Sequence, residues 1–106
     1  MNNSKVLSTL GLAHRASLVI SGEDLVLEAI RSGRAKVVFL ASDAGASTSK
    51  RIHDKTTFYQ VPLLSLFPGE ALSHAVGKAN RKVMCINDPK MAKLLLQTAN
   101  EEKEVK

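Results

Sequence analysis

Three short segments of the chain contain the side chains that could bind a phosphate backbone. Each holds three cations: the segments are 31–36 (RSGRAK), 50–55 (KRIHDK) and 78–82 (KANRK). Clustered lysine and arginine side chains of this kind contact phosphate oxygens in nucleic-acid complexes. Each segment taken alone is more typical of a solvated protein face, because long basic side chains often cover a surface without binding any ligand.

An acidic group interrupts this basic pattern at the start of a predicted helix. Glu23 and Asp24 follow a turn at Ser21 and Gly22, and Glu28 comes one helical turn later. Adjacent acids on a helix point in different directions and are both stabilised by the helix dipole, which favours a structural role over a catalytic acid pair. A helix start that follows a strand is nonetheless a frequent ligand site in α/β proteins.

No arrangement of residues in the sequence predicts catalysis. His14, His53 and His74 lie in three separate predicted helices, without the spacing of a metal site. Cys85 is the single cysteine and lies in an apolar stretch, which predicts a buried and inert thiol. The nucleotide-binding motifs GxxxxGK[ST] and GxGxxG do not occur. We therefore expect a protein with no enzymatic activity, no cofactor, no metal and no small-molecule substrate.

Length and composition favour a single basic domain whose partner is a polyanion. The chain has 106 residues and a net charge of +5, and 44% of its residues are hydrophobic, which suffices for one folded core. Such a charge first suggests nucleic acid as the partner. The aromatic residues are only Phe39, Phe58, Tyr59 and Phe67. A single-strand binder built on base stacking is therefore not expected.

The sequence also predicts a cytoplasmic protein that does not bind membranes. A single cysteine suits a reducing compartment. The segment 1–16 (MNNSKVLSTLGLAHRA) lacks the apolar core and cleavage site of a signal peptide. No apolar run approaches the roughly 20 residues that are needed to cross a bilayer.

Hydrophobic periodicity predicts five helices that alternate with four short strands. Ser4 and Ser21 are predicted to cap the first two helices, and Ser47 or Thr48 the third. The alternation predicts helices on both faces of one largely parallel or mixed sheet, an α/β fold. The first predicted helix begins after Ser4, and the other four cover 23–32, about 47–59, 68–77 and 88–99. The predicted strands are 16–20, 37–41, 61–66 and 83–86.

This organisation predicts one domain over residues 1–100, followed by a charged, disordered tail at 101–106 (EEKEVK). The turn at Gly22 and the loop 77–82 each adjoin a predicted strand end. If both lie at one edge of the sheet, a helix N-terminus and a basic loop jointly face a phosphate backbone.

The order and spacing of these residues resemble the kink-turn RNA-binding superfamily of ribosomal proteins seven-Ae and thirty-e. The stretches 10–16 (LGLAHRA) and 21–26 (SGEDLV) are most similar to its small bacterial YlxQ-like branch. The resemblance covers about residues 5–97. The residues on which it rests are Gly22, 29–33 (AIRSG), 35–38 (AKVV), Leu40, Ala41 and Asp43 in the first half, and Val61, Pro62, Leu72, Ala75 and Gly77 in the second.

The resemblance implies a three-layer α/β/α sandwich with a four-stranded mixed sheet, and a partner that is kinked RNA. In that family the start of the second helix reads tandem G·A pairs, and the loop before the last strand packs on bent nucleotides, so that the RNA is recognised by its shape and exposed base edges. Carried over by position, the implied RNA-binding residues are Gly22, Glu23, Asp24, Leu25, Glu28, Lys78, Ala79, Arg81 and Lys82.

Four positions depart from the pattern of the family. Asp24 stands where the family usually has asparagine, Leu25 where it has glutamate, and Glu28 where it has lysine. Asp24 can accept a hydrogen bond but cannot donate one, and Leu25 can do neither. Glu28 replaces a cation with an anion facing phosphate, and such a charge reversal costs on the order of 1 kcal/mol or more at a partly exposed site. Ser73 replaces the glycine of the LG-x-A-x-G motif, whereas Leu72, Ala75 and Gly77 are kept.

We therefore expect a non-catalytic RNA-binding protein that recognises kink-turn or similarly bent structured RNA and associates with ribosomes, with ribosomal RNA as one candidate. The departures predict a weaker kink-turn affinity or a different RNA target. The alternative is a protein–protein interaction module on the same fold, in which the acidic helix start contacts a basic partner. The sequence does not indicate the oligomeric state.

Overall fold

The computed structural model describes residues 4–104 and places five helices and four strands along them. The strands are β1 (Val19–Ser21), β2 (Val37–Leu40), β3 (Leu63–Leu64) and β4 (Val83–Ile86). The helices are α1 (Lys5–Arg15), α2 (Glu23–Arg31), α3 (Ala46–Tyr59), α4 (Gly69–Ala75) and α5 (Pro89–Glu104).

The strands form one mixed sheet in the order β1-β4-β2-β3, in which β4 is antiparallel to β1 and β2, and β3 is parallel to β2. The ends of β1 and β2 therefore lie beside the start of β4. We call this end, where Gly22 and Ala41 leave β1 and β2 and Lys82 enters β4, the upper edge. The opposite end, where Lys36 enters β2 and Asn87 leaves β4, is the lower edge.

Helices cover both faces of the sheet because β2 and β4 are apolar and buried at every position. Alternate residues of a strand point to opposite faces. The predicted three-layer α/β/α sandwich is confirmed. On one face Val37, Phe39, Met84 and Ile86 pack with residues of α1, α4 and α5; on the other, Val38, Leu40, Val83 and Cys85 pack with residues of α2 and α3.

The first two helices show how local sequence sets their bounds. The Ser4 hydroxyl accepts a hydrogen bond from the Val6 N–H at 3.1 Å, which confirms the predicted cap of α1. In α2 the apolar residues Val26 and Ile30 are buried one turn apart. The chain leaves that helix through Gly33, whose φ of 82° suits a glycine that ends a helix.

Several predicted boundaries are shifted by local backbone geometry. The first strand begins at Val19 rather than Ala16, because Ser17 adopts a φ of 64° directly after α1. Ser21 belongs to β1, and Gly22 takes the N-cap position of α2 without a side-chain bond. The predicted cap of α3 by Ser47 or Thr48 is also wrong, because Gly45 occupies that position.

The strand predicted over 61–66 is reduced to two residues, Leu63 and Leu64. The Val61 N–H donates to the Thr56 carbonyl at 2.9 Å, so this residue still belongs to the turn that ends α3. Pro68 is the N-cap residue of α4 rather than its first helical residue.

The last helix continues into the segment predicted to be disordered. It extends to Glu104, and the Glu102 carboxylate accepts hydrogen bonds from the Ser4 hydroxyl at 2.8 Å and from the Lys5 N–H at 2.6 Å. An acidic side chain near the start of a helix is stabilised by the helix dipole. This long-range contact with α1 gives the charged tail a folded partner, and residues 105–106 lie outside the described part of the chain.

Candidate nucleic-acid interface

The upper edge brings the start of α2 and the loop 78–82 together, as the sequence predicts. The Gly22 N–H donates to the Val83 carbonyl at 3.0 Å, and the Ala41 N–H donates to the Lys82 carbonyl at 2.7 Å. These two bonds hold the start of β4 against the ends of β1 and β2. A cavity of about 230 Å³ lies between the two segments, and its lining residues are Gly22, Glu23, Thr48, Asn80, Arg81, Lys82 and Val83.

Gly22 is required by the backbone conformation at the start of α2. Its φ is 106° and its ψ is 140°, a region that side chains rarely adopt. A Cβ atom at this position would lie 3.8 Å from Nη1 of Arg81. No side chain in the described part of the chain caps this helix start, so the N–H groups of its first turn can bond to a ligand or to water. The positive end of the helix dipole therefore adjoins a guanidinium group.

Ser73 fixes the loop that supplies this guanidinium. Its side chain is buried in α4, accepts a hydrogen bond from the Arg81 N–H at 2.8 Å, and donates one to the Arg81 carbonyl at 3.1 Å. Asn80, with a φ of 58°, makes the tight turn just before Arg81. The serine that replaces the glycine of the family motif thus holds both backbone groups of one loop residue.

Arg81 presents an unsatisfied donor at this edge. Its Nε is buried and has no hydrogen-bond partner within residues 4–104. A buried N–H without an acceptor costs about 1–3 kcal/mol. The residue also lines the adjoining cavity, and a guanidinium group can form two parallel bonds to a phosphate or base oxygen.

Lys82 and Asp43 form the second part of the edge. Their side chains make an ion pair at 3.2 Å, and the other carboxylate oxygen of Asp43 accepts a hydrogen bond from the Gly69 N–H at 2.9 Å. The Gly69 hydrogen bond, assisted by Lys82, lowers the pKa of Asp43. A second cavity of about 370 Å³ adjoins this pair and is lined by Lys78 and Ala79 among others.

The acidic group of the helix start is largely compensated within the protein. Glu23 accepts hydrogen bonds from Thr48 Oγ1 at 2.8 Å and from Arg51 Nε at 2.6 Å. The Thr48 bond, opposed by partial burial and assisted by Arg51, lowers the pKa of Glu23. Glu28 forms an ion pair with Arg31 on the same helix. Both carboxylates are therefore already engaged by cations of the protein.

Asp24, Leu25 and Glu28 are exposed on the outer face of α2. None of the three lines either of the two cavities at the upper edge. Leu25 is 61% exposed, and among the described residues Asp24 makes no ion pair. The structure thus divides the predicted site into a cavity group with the loop residues and an outer group on α2. The role of both groups in RNA binding stays a prediction.

The other two basic segments lie elsewhere. The segment 31–36 is at the lower edge, where the Lys36 N–H donates to the Ile86 carbonyl at 2.8 Å. The segment 50–55 is divided within α3, since Lys50 pairs with Asp54 at 3.0 Å and Arg51 pairs with Glu23. One of the three basic segments, 78–82, therefore belongs wholly to the upper edge.

Sequence reasoning missed the residues that support the edge rather than form it. Thr48 and Arg51 approach Glu23 from another helix, which local spacing cannot reveal. The turn at Asn80 could have been predicted from the sequence, because asparagine tolerates positive φ better than most residues. The role of Ser73 could also have been predicted, since a hydroxyl in place of glycine adds a hydrogen-bonding group to a buried position.

The described residues contain no activated cysteine and no group of side chains that could hold a metal ion. Burial raises the pKa of the Cys85 thiol to about 12, which keeps it protonated and unreactive. Within residues 4–104, no three His, Cys, Asp or Glu side chains are grouped closely enough to hold a metal ion. None of the helices in that range combines the length and the apolarity that crossing a bilayer demands.

Comparison with known proteins gives consistent matches over most of the chain. The model of the ribosomal protein L7Ae/L30e/S12e/Gadd45 family matches residues 4–96. The RNA-binding protein YlxQ of Bacillus subtilis is 40% identical over 96 residues, which are 91% of this chain and 96% of the relative. The RNA-binding protein YlxQ of Enterococcus faecium is 41% identical over 92 residues, which are 87% of this chain and 88% of the relative.

Two solved structures share the fold. A protein of unknown function from Bacillus halodurans superposes with a TM-score of 0.89 and 36% identity, over 92% of this chain and 99% of that one. A 15.5 kD RNA-binding protein of Giardia lamblia superposes with a TM-score of 0.79 over 97% of this chain and 92% of that one. Its identity is 15%, so this likeness concerns the fold alone.

Proposed function

The chain belongs to the ribosomal protein L7Ae/L30e/S12e/Gadd45 family, in its YlxQ-like branch, and from this premise we propose that it is a non-catalytic RNA-binding protein. The two YlxQ relatives are named as RNA-binding proteins and are aligned over nearly their whole length. The observation that best supports the proposal is the upper edge itself. There the start of α2, which no side chain of residues 4–104 caps, lies beside Arg81, whose buried Nε has no acceptor among the same residues.

The proposed ligand is a bent, structured RNA of the kink-turn type, such as a segment of ribosomal RNA. Phosphates approach the loop 78–82 and the N–H groups that follow Gly22, where cations and the helix dipole attract them. Asp24 is exposed on the outer face of α2 and can accept a hydrogen bond from a guanine amino group. Leu25 adds an apolar contact in place of a hydrogen bond. The protein acts in the cytoplasm, on ribosomes or their precursors.

The experiment compares charge removal at the edge with charge removal elsewhere. Arg81→Ala and Lys93→Ala each remove one cation, and Lys93 is exposed on α5, outside the lining of both cavities at the upper edge. Binding to a labelled kink-turn RNA is measured by fluorescence anisotropy at several salt concentrations. Losing one phosphate contact lowers the slope of log affinity against log salt by about 0.7–0.9. We expect that change for Arg81→Ala only; equal behaviour of the two variants would contradict the proposal.

A second function has one observation in its favour. Leu25 and Asp24 form an exposed apolar and acidic pair on the outer face of α2, which suits contact with a basic protein surface. Glu28→Lys separates the two functions, because it removes the ion pair with Arg31 and reverses one charge. RNA binding should strengthen in this variant, whereas capture of a basic protein partner should weaken.

A further inference from the structure

The lower edge contains a basic cluster that the proposed RNA interface does not use. Arg31, Arg34 and Lys36 lie where α2 ends and β2 begins. The helix has nine residues, so its two ends are separated by about 13 Å. The lower edge is therefore a separate surface from the edge at Gly22.

Two aromatic side chains lie exposed beside this cluster. Phe58 is 76% exposed and Tyr59 is 38% exposed, and their ring centroids are 4.9 Å apart in an edge-to-face arrangement. The chain has only four aromatic residues, and Phe39, by contrast, is buried in the core. Half of a small aromatic complement is thus placed in solvent at the end of one helix.

Tyr59 lines one cavity with Arg31 and Lys36, whereas Phe58, whose ring contacts that of Tyr59, and Arg34 lie outside its lining. A space of about 420 Å³ at the lower edge is lined by Arg31, Lys36, Tyr59 and Gln60, with apolar residues below them. Aromatic rings next to cations form the surface on which bases of single-stranded nucleic acid stack while phosphates meet the charges.

Intramolecular contacts explain only part of this cluster. Lys36 Nζ donates to the Gly33 carbonyl at 2.9 Å, which stabilises the end of α2, and Arg31 pairs with Glu28. Arg34 Nε donates to the Ser32 hydroxyl at 3.0 Å. The partners of Lys36 and Arg34 in these bonds are neutral, so both cations keep their full charge for an external anion. Capping of α2 also does not explain why the rings of Phe58 and Tyr59 are exposed.

We propose that this surface binds an unpaired RNA strand, with bases stacked on Phe58 and Tyr59 and phosphates at Arg34 and Lys36. The choice of RNA as the polyanion rests on the proposed function, but the surface is physically independent of the upper edge. An RNA that is bent at Gly22 and continues as a single strand can then contact both ends of α2. The proposed surface departs from the expectation, drawn from four aromatic residues, that base stacking is not used: stacking is restricted to one or two bases, and the cations supply the other contacts.

The test uses a single-stranded uridine ten-mer, whose binding does not need the upper edge. Phe58→Ala removes one exposed ring, and Leu94→Ala is the matched control, because Leu94 is 48% exposed on α5 across the sheet. We expect Phe58→Ala to weaken binding of the ten-mer about tenfold, as loss of one stacked base does. Leu94→Ala should leave its affinity unchanged.

Three results would overturn this inference. They are no binding of the ten-mer to the unsubstituted protein, equal binding by the Phe58 and Leu94 variants, and equal binding of an acidic peptide of the same length and charge. A blunt kink-turn RNA, titrated in parallel, separates the two proposals. If the kink-turn RNA fails to bind while Phe58→Ala still weakens binding of the ten-mer, the proposed interface at the upper edge is contradicted. The proposed surface at the lower edge is then supported.

Discussion

Replacing Ser73 with alanine tests how the interface loop is held in place. The hydroxyl is buried in α4 and satisfies both backbone groups of Arg81, at 2.8 and 3.1 Å. Alanine keeps the helix and removes only these two bonds. The loop before β4 then loses its side-chain attachment to α4, while the backbone bond from the Lys78 N–H to the Ser73 carbonyl and the Lys82 ion pair with Asp43 remain.

The size of the effect follows from the two lost hydrogen bonds. Each contributes about 1 kcal/mol, and a group left buried without a partner costs up to about 3 kcal/mol. Alanine recovers roughly 0.5 kcal/mol, because it favours the helix more than serine does. We therefore expect the Ser73→Ala variant to lose about 1–2 kcal/mol of unfolding free energy in urea. Ser8→Ala, at an exposed position of α1, serves as the matched control and should not lose stability.

Hydrogen exchange locates the effect within the molecule. The Arg81 amide is protected by Ser73 alone, so its exchange should rise by about tenfold per 1.4 kcal/mol of lost protection. The amide of Val38, which donates to the Pro62 carbonyl at 2.9 Å, reports on the sheet. Its exchange should change less. The role of Ser73 in holding Arg81 would be refuted if the Arg81 amide exchanged at the same rate in the natural protein and in Ser73→Ala. It would also be refuted if the exchange rates of Arg81 and Val38 changed by the same factor.

Three further predictions concern single residues. Gly22→Ala should destabilise the fold by about 1–3 kcal/mol in urea unfolding, because a φ of 106° strains any side chain. The pKa of Glu23 is lowered in the folded state from its ordinary value of 4.5, so its stabilisation is complete above that pH and is lost as the pH falls through the folded pKa. The unfolding midpoint should therefore fall more steeply below pH 4.5 in the natural protein than in Glu23→Gln. Burial raises the pKa of Cys85 to about 12, so a thiol reagent at pH 8 should label it only after denaturant is added.

Much of the architecture could be predicted because it depends on local patterns. The Ser4 cap, the stop at Gly33 and the buried strands β2 and β4 are each set by neighbouring residues. Alternating helices and short strands left few ways to build a core other than a layered α/β fold. The meeting of Gly22 with the loop 78–82 was predicted as well, since both adjoin strand ends.

The remaining features depend on partners that are distant in sequence. Glu102 accepts a hydrogen bond from Ser4, 98 positions away at the start of α1, and residues 101–104 are helical rather than disordered. Glu23 is engaged by Thr48 and Arg51 of another helix, which the acidic pattern of α2 could not indicate. Periodicity describes which face of an element is buried, but it does not state which side chain arrives from elsewhere.

The same distinction explains the outcome for the candidate site. The sequence predicts nine contact residues from a resemblance, and the structure places the loop residues and the helix start around two adjoining cavities. The outer residues Asp24, Leu25 and Glu28, which depart from the family, lie away from those cavities. Under the proposed function, a changed specificity would therefore arise on the outer face of α2, and the loop 78–82 would supply the phosphate contacts.

The most direct test of the RNA interface is a titration of a kink-turn RNA and a straight duplex of equal length at two salt concentrations. Contacts from Lys78, Arg81 and Lys82 should give a salt slope of about −2 to −3, which is a loss of roughly tenfold to a hundredfold between 50 and 200 mM salt. We predict that the kink-turn RNA binds more tightly than the duplex at both concentrations. Equal and weak binding of the two RNAs would contradict recognition of bent RNA at the upper edge.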